Sequence, residues 1–540
     1  MNGLMPPNKL YYKSNFSVFF FFGLIILLPF IGIFSKVNYD LNLFFDFFQN
    51  SYTHRLIYFS VYQAFVSAIL SCFLAIPFAL ALNRHKDLKI IKFIISLCGF
   101  CFVIPTILIV YAVIKLYGNN GFYNLYFNLY EHLSIETIFG IKAILIAHTL
   151  LNTPFATRLF IQSLNSIPSK YYEISGSLNI KFLGNLVRLE WPYIKQNFFS
   201  VFSIIFSLCF LSFAIVMALG GGPMYSTIEV AIYQYALFEL NFNKAILLSF
   251  LQIFICLFFL FIGFYKLKGS NFFDVDQTNF IHPHKEYKVI KTIDFLLIIF
   301  FSIFFFSPIL CVIYNFFHYG YYTTLINAKF LESFFNSLII SVTTGVIVSI
   351  VGFIISSILV INYKNIFFQQ SIFLISSSII IISPIIFSLG YFIILGELRY
   401  LHFFKYLVII LINCLFLIPF SILILFNNLK NIFLNFESFQ QTFRISIKNY
   451  FIILLPLIRK NIIFVFAFST VITFGDFTII SFFKDQNFDT LPSYLYKLIS
   501  IYRFNEASFV AGVILIFSMI IFLAIDNLNY QGKSAIKTWR

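Results

Sequence analysis

What most restricts this chain is a succession of long apolar runs that carry almost no charge. Residues 245–265 contain no charged side chain, and 293–316 contain Asp294 alone. A helix needs roughly 20 residues to cross the hydrocarbon of a bilayer. Hydrocarbon offers no partner to a free backbone N–H or C=O, so a crossing segment must close its hydrogen bonds internally. Twelve such runs are read, near 16–35, 56–82, 93–116, 141–163, 198–219, 245–265, 293–316, 333–361, 369–395, 405–427, 461–483 and 507–526. The expected fold is all-α and polytopic, with about twelve transmembrane helices. No small-residue cleavage site follows the first run, so it is not expected to be a removable signal.

Composition supports this reading. Of 540 residues, 60% are hydrophobic and 11% charged, against about 25% charged in soluble domains. A bilayer can absorb that apolar surface where a soluble core could not. The excess of Phe, Ile, Asn, Lys and Tyr resembles the codon bias of an AT-rich genome and is not read as function. All seven cysteines sit in apolar runs. Neither a disulfide framework nor a metal site is expected, and the Cys98–Cys101 pair reads as two small apolar residues.

The net charge of +15 is spread in a telling way. An even number of crossings puts both termini on one side, and the cytoplasm is the side that gathers most Lys and Arg. Arg84, Lys86, Lys89 and Lys92 fall there, as do Lys170, Lys181, Arg188 and Lys195. Lys430, Arg444, Lys448, Arg459 and Lys460 join them. That is the asymmetry of a multi-pass inner-membrane protein with cytoplasmic termini, drawn to anionic lipid and not to nucleic acid.

The sequence also repeats. Pro154-Phe155 is matched by Pro419-Phe420, Pro192 by Pro456, Thr227 and Tyr233 by Thr490 and Tyr496, and Phe242-Asn243 by Phe504-Asn505. The matches keep their order while the offset shrinks one residue at a time, which chance rarely produces. Two parallel six-helix halves are expected, 1–266 and 293–540, joined by a polar cytoplasmic linker, 267–292. The linker's His282-Pro283-His284 reads as solvated chain. Parallel halves related by an axis along the membrane normal enclose a path between them.

Each half has one long cytoplasmic loop, near 165–197 and 428–460. In the first, Asn165 or Ser166 with Pro168 can open a helix, and Ile167, Tyr171, Ile174 and Leu178 then share a face. Phe436, Phe439, Phe443 and Ile447 do the same in the second. By periodicity alone such a helix either rests on headgroups or docks into a partner.

Glu173-Ile174-Ser175, then Asn179, then Glu190-Trp191-Pro192 resemble the EAA loop of ATP-binding-cassette importer permeases. Asn179 stands where that family usually has Gly, in a geometry Asn tolerates. The second loop, Glu437 to Pro456, keeps the proline and stripe but not the small residues. Leu219-Gly220-Gly221-Gly222-Pro223 and Thr227 to Gln234 are similar to the permeases of bacterial thiamine importers. So are Phe474-Gly475-Asp476-Phe477, Phe488-Asp489-Thr490-Leu491-Pro492 and Leu495-Tyr496.

The resemblance implies the type I importer permease fold, two copies of an ATPase subunit below, and a periplasmic thiamine-binding protein above. It implies coupling to the ATPases through Tyr171, Glu173, Ile174, Asn179, Glu437 and Phe443. The chain has no Gly-x-x-x-x-Gly-Lys-[Ser/Thr] loop, so ATP would be used by partner subunits; no cofactor and no catalytic residue is expected in this chain. Candidates for the solute path or outer mouth are Gly221, Gly222, Pro223, Glu229, Tyr233, Asp476, Asp489 and Tyr496. Asp476, a carboxylate at the edge of a span, would draw a cation such as thiamine or pair with a basic residue. His148, Asn152 and Gln252 either line the interface between halves or bond neighbouring helices. An importer of iron(III) or another small solute is the alternative. A polytopic membrane enzyme lacks its paired carboxylates here, and an ion-driven carrier would need more buried ionisable groups than the sequence suggests.

Overall fold

The computed structural model describes residues 23, 27–36, 41–127, 138–265, 287–319, 322–361, 382–443 and 447–537. For 434–443, 447–454 and 523–537, among others, the description is of the backbone alone. The described residues are helical apart from turns and one bridged pair, Asp485 with Phe488.

Nine of the described helices are long and apolar enough to cross a membrane. They answer to every expected span except the first, third and ninth. The helices used below are α1 Ser51–Arg84, α2 Lys89–Phe100, α3 Thr106–Tyr117, α4 Ile141–Asn165, α5 Ser169–Ser177, α6 Trp191–Phe210, α7 Ala214–Leu219, α8 Ile228–Leu237 and α9 Phe242–Tyr265. After 266–286, which lie outside the described residues together with most of the expected linker, come α10 Lys288–Tyr319, α11 Ala328–Ile361, α12 Pro384–Leu395, α13 His402–Phe443, α14 Ile447–Phe474, α15 Thr478–Phe483, α16 Leu491–Ser500 and α17 Phe504–Lys537.

The third span is not one helix. It breaks at 101–105 into α2 and α3, where Pro105 offers no N–H and disfavours helical geometry in the residue before it. The same sequence signature, Ser383-Pro384, opens α12, and Ser383 Oγ accepts from the Ile385 N–H at 3.0 Å. Residues 369–381 of the expected ninth span lie outside the described residues, as does half of the first. By contrast, Pro77, Pro154, Pro308, Pro419 and Pro456 sit inside continuous helices.

The fifth and eleventh spans also stop short. α6 ends at Phe210 and, after Leu211-Ser212-Phe213, the chain re-forms as α7; α14 ends at Phe474 and, after Gly475-Asp476-Phe477, re-forms as α15. A further short helix follows in each case, and its first N–H finds the same partner. Ile228 N donates to Ser60 Oγ on α1 at 2.9 Å, and Leu491 N donates to Ser337 Oγ on α11 at 2.8 Å. The sequence repeat matches Thr227 and Tyr233 with Thr490 and Tyr496. In the structure α8 packs on α9, α1 and α12, and α16 packs on α17, α11 and α3. Both are largely buried: Gln252 of α9 holds Glu229 of α8, and serine hydroxyls on α1 and α11 hold their first N–H groups.

Where helices cross closely, glycine is the reason. A Cβ on Gly352 would meet Ser421 Oγ at 2.0 Å, and one on Gly345 would meet Thr470 Oγ1 at 2.4 Å. These bring α13 and α14 against α11, as small residues do where lipid supplies no hydrophobic drive between helices. Two breaks touch at Gly475, where a Cβ would lie 2.2 Å from Pro105 Cγ. Gly475→Ala should therefore lower the thermal midpoint of the detergent-purified protein, by the 1–3 kcal/mol typical of overpacking. An unchanged midpoint would show that the two breaks are not in register.

Candidate functional site

Three of the breaks bring aromatic rings together. Phe213 and Phe477, at matched places after α6 and α14, stack on each other with centroids 5.8 Å apart and planes at 19°. Tyr233 of α8 meets Phe213 at 5.1 Å and Phe482 of α15 at 5.5 Å. Tyr496 of α16 meets Phe477 at 4.9 Å. A further layer forms on Phe102, at the break between α2 and α3. It stacks on Phe155 at 4.4 Å and meets Phe420 edge-on at 6.1 Å, the pair matched in the sequence repeat.

Polar groups flank these rings. Asp476 Oδ1 accepts from the N–H groups of Thr478 and Ile479, at 3.0 and 3.4 Å, and so caps α15; its carboxylate also faces the Asn413 side chain. Glu229 is buried in α8, with Gln252 Nε2 donating to its Oε1 at 2.6 Å and the Ser383 hydroxyl facing it from the break before α12. Asp489 takes a hydrogen bond from Ser493 at 3.0 Å. Burial raises its carboxyl above the ordinary value, against that bond and the nearby Lys497 and Lys484. Burial lowers the Lys484 ammonium, with Asp489 acting the other way.

Gly221 to Pro223 form an exposed lip after the buried Gly220. Gly221 and Gly222 have φ of 72° and 142°, a region that favours glycine. Arg55 Nη2 on α1 donates to the Pro223 carbonyl at 3.3 Å, and Gly140 N donates to the Leu219 carbonyl at 2.8 Å. The lip is thus tied to the starts of α1 and α4.

At the other end lies the loop after α4. α5 buries Tyr172 and Ser175 and turns Tyr171, Glu173, Ile174 and Leu178 outward. Ser175 Oγ donates to Asn185 Oδ1 at 2.5 Å, fixing the helix to the segment that leads into α6. Asn179 closes α5 with φ of 52°, the left-handed geometry expected at that position. Ile167 is buried, so the apolar stripe is presented only from Tyr171 onward. In the second loop, α13 runs unbroken from span to loop as far as Phe443. This replaces the expected span and separate short helix. Glu437 and Phe443 lie on its backbone; their side chains lie outside the described residues.

Beneath α5 sits a buried ion network that joins three distant stretches. Arg84 Nη1, at the end of α1, lies 2.5 Å from Asp294 Oδ1 near the start of α10. His85 Nε2 is 3.1 Å from Asp294 Oδ2, and Arg84 Nη2 is 4.0 Å from Glu190 Oε2 at the foot of α6. The guanidinium also covers the Phe182 ring at 4.8 Å. All three charged side chains are at most 5% exposed.

Comparison with known proteins fits this geometry. The chain is 31% identical over 496 residues to the "Thiamine transport system permease protein ThiP" of Haemophilus influenzae, covering 89% of each chain. The chain belongs to the family of thiamine transport system permeases. Proteins of the same name from Escherichia coli and Salmonella typhimurium are each 27% identical to it, over 89% of this chain and 90% of theirs. No protein-family model and no solved structure matches the chain.

Within this permease Tyr233 and Tyr496 meet the Phe213–Phe477 stack, Asp476 adjoins Phe477, Asp489 lies near Lys484, and Gly221, Gly222 and Pro223 stay in the lip. The structure also places other expected residues. His148 Nδ1 lies 3.1 Å from Ser67 Oγ, Asn152 Nδ2 donates to Cys209 Sγ at 3.2 Å, and Gln252 holds Glu229. All three bond neighbouring helices, and Glu229, which Gln252 holds, also faces Ser383 at the break before α12. Arg84, Glu190, Glu229 and Asp294 are ionisable groups that the fold buries. Arg84 and His85 were legible only as basic residues near a span end. Asp294, the single charge in its run, was the available signal.

Two outcomes follow for the permease. Asp294→Ala leaves the Arg84 guanidinium buried without its closest partner, which typically costs about 3–5 kcal/mol. The purified protein should lose its folded form at much lower temperature, whereas Lys288→Ala, on exposed chain nearby, should not. Asp476→Ala removes a cap worth about 1 kcal/mol, while Asp476→Asn keeps the capping oxygen. If capping is the main role, uptake falls for Ala and survives for Asn; equal loss in both would assign the role to the charge.

Proposed function

We propose that this chain is the membrane-spanning permease of an ATP-binding-cassette importer that carries thiamine, and possible thiamine phosphates, into the cytoplasm. The likeness to thiamine transport permeases across about nine-tenths of both chains carries the reading. The proposed arrangement has two helix sets, up to residue 266 and from 293, related by an axis through the Phe213–Phe477 stack. Both termini and the loop holding α5 lie in the cytoplasm, as the basic residues favour. A periplasmic thiamine-binding protein delivers the solute at the side of the Gly221–Pro223 lip.

Two copies of an ATPase subunit supply the energy. The outward stripe Tyr171, Ile174 and Leu178, with Glu173 beside it, has the character of a knob that enters a cleft of one ATPase; the 428–460 loop, with Glu437 and Phe443, takes the other. Closing the ATPase pair draws the loops together. Glu190, at the foot of α6, passes that displacement through Arg84 and Asp294 to α1 and α10, since a packed charge network moves as a unit. The sets then part at the axis, where discontinuous helices already stand.

Affinity purification of the tagged chain should bring down an ATPase subunit, and proteoliposomes holding both, with the binding protein, should take up labelled thiamine when given ATP. Unlabelled thiamine should compete and iron(III) should not. Uptake of iron(III) in place of thiamine would overturn the solute, and failure to retain any ATPase would overturn the importer. Glu173→Lys should leave the complex assembled and hydrolysing ATP while cutting uptake at least tenfold. Normal uptake would remove Glu173 from the coupling surface.

A further inference from the structure

The axis holds a charge that the fold alone does not explain. The Lys484 ammonium stands 5.6 Å from the centroid of Phe477 and 5.4 Å from that of Tyr496. Both distances fall within the range at which a ring face attracts a cation. Phe477 is itself stacked on Phe213, which Tyr233 meets in turn, so the ammonium sits at one end of a continuous set of rings. Lys484 makes no hydrogen bond or ion pair among the described residues, and Asp489 acts on it only at longer range. It is half-buried on the segment between α15 and α16.

The other helix set has the rings without the cation. α7 and α15 are both six residues long and begin one residue after Phe213 and Phe477. Where Lys484 follows α15, Gly220 follows α7. Tyr233 and Tyr496 are matched, Phe213 and Phe477 are matched, and the lysine is unmatched. Packing that merely closed an apolar seam would have no use for an ammonium there, since taking it from water is unfavourable unless something replaces its hydration. Rings facing it do so in part. Their faces would do the same for any compact organic cation, and an aromatic one could also stack between Phe213 and Phe477 once the sets part.

We propose that the rings of Phe213, Tyr233, Phe477 and Tyr496 form a binding site for a heteroaromatic cation on the solute path, and that Lys484 is its tethered occupant in the closed state. An entering thiazolium-type cation displaces the ammonium toward Asp489, and the ammonium returns once the solute has left. This deepens the function proposed above and rests on it for the solute, but not for the site.

The test uses the permease–ATPase complex in lipid nanodiscs without binding protein, so that only the permease can bind. Two probes are measured at equilibrium, labelled thiamine and labelled N-methylpyridinium, with a thiamine analogue carrying a neutral thiophene ring as control. Lys484→Gln and Lys484→Met should each bind both cations at least threefold more tightly than the wild type, and Lys484→Arg should bind them as the wild type does. Adding Phe477→Leu to Lys484→Gln should abolish the gain, and the neutral analogue should show none. The inference falls if neither neutral variant, retained with the ATPase, gains affinity. It falls equally if the gain survives Phe477→Leu or is shared by the thiophene analogue. Should the wild-type chain take up no thiamine in proteoliposomes, the functional reading fails, while N-methylpyridinium binding still decides whether the rings and Lys484 form a cation site.

Discussion

A backbone group without a partner is costly in hydrocarbon, so a helix can be interrupted only where protein covers the interruption. The described breaks obey this by meeting one another. Pro105 lies on Gly475, Phe213 stacks on Phe477, and Ser383 faces Glu229 of α8. Side chains then supply what the helices lack: Ser60 and Ser337 accept the first N–H of α8 and α16, and Asp476 accepts those that open α15. Non-helical backbone, which lipid would not tolerate, is thereby concentrated on the axis. A transporter needs its adaptable parts in that same place. In the function proposed above, the solute passes where these breaks meet.

The ion network around Arg84 imposes a second constraint, at the loop end. Its members come from the ends of α1, α6 and α10, and Arg84 and Asp294 are 210 residues apart in sequence. Charges removed from water hold a defined geometry because any looser arrangement leaves one of them uncompensated. The stretch carrying α5 is fixed to this cluster through Glu190 and, at its own level, through the bond from Ser175 to Asn185. In the proposed function, a displacement of α5 is passed through these contacts to helices on both sides of the chain's midpoint.

Much of this was legible in the sequence, for identifiable reasons. Apolar runs of crossing length declare themselves without periodicity, and nine of the described helices fall on them. Asn179 was readable because few side chains accept its backbone geometry. The breaks were not readable. Pro105 ends a helix while Pro77, Pro154, Pro308, Pro419 and Pro456 do not, and the local chemistry of the ring is the same in all of them. What differs is whether a neighbouring helix re-satisfies the freed groups, and only tertiary structure decides that. The contacts that bury α8 and α16 were not readable either: Gln252, Ser60 and Ser337, which hold them, lie on other helices.

The repeat is most instructive where it fails. Phe213 and Phe477 are alike, as are Tyr233 and Tyr496, yet Ser212 answers to Asp476 and Gly220 to Lys484. The exposed glycine lip after α7 has as its counterpart a tight turn closed by the Asp485–Phe488 bridge and by the pairing of Lys405 with Asp485. Two separate copies of one subunit could not divide these features between them, because any residue present on one side of the axis would be present on both. Joining the copies in one chain removes that restriction. In the arrangement proposed above, matched rings keep a twofold closure, while single charges such as Asp476 and Lys484 give the axis a direction. A solute with one charged ring is itself without twofold symmetry, and a site with a single cation position suits it better than a doubled one.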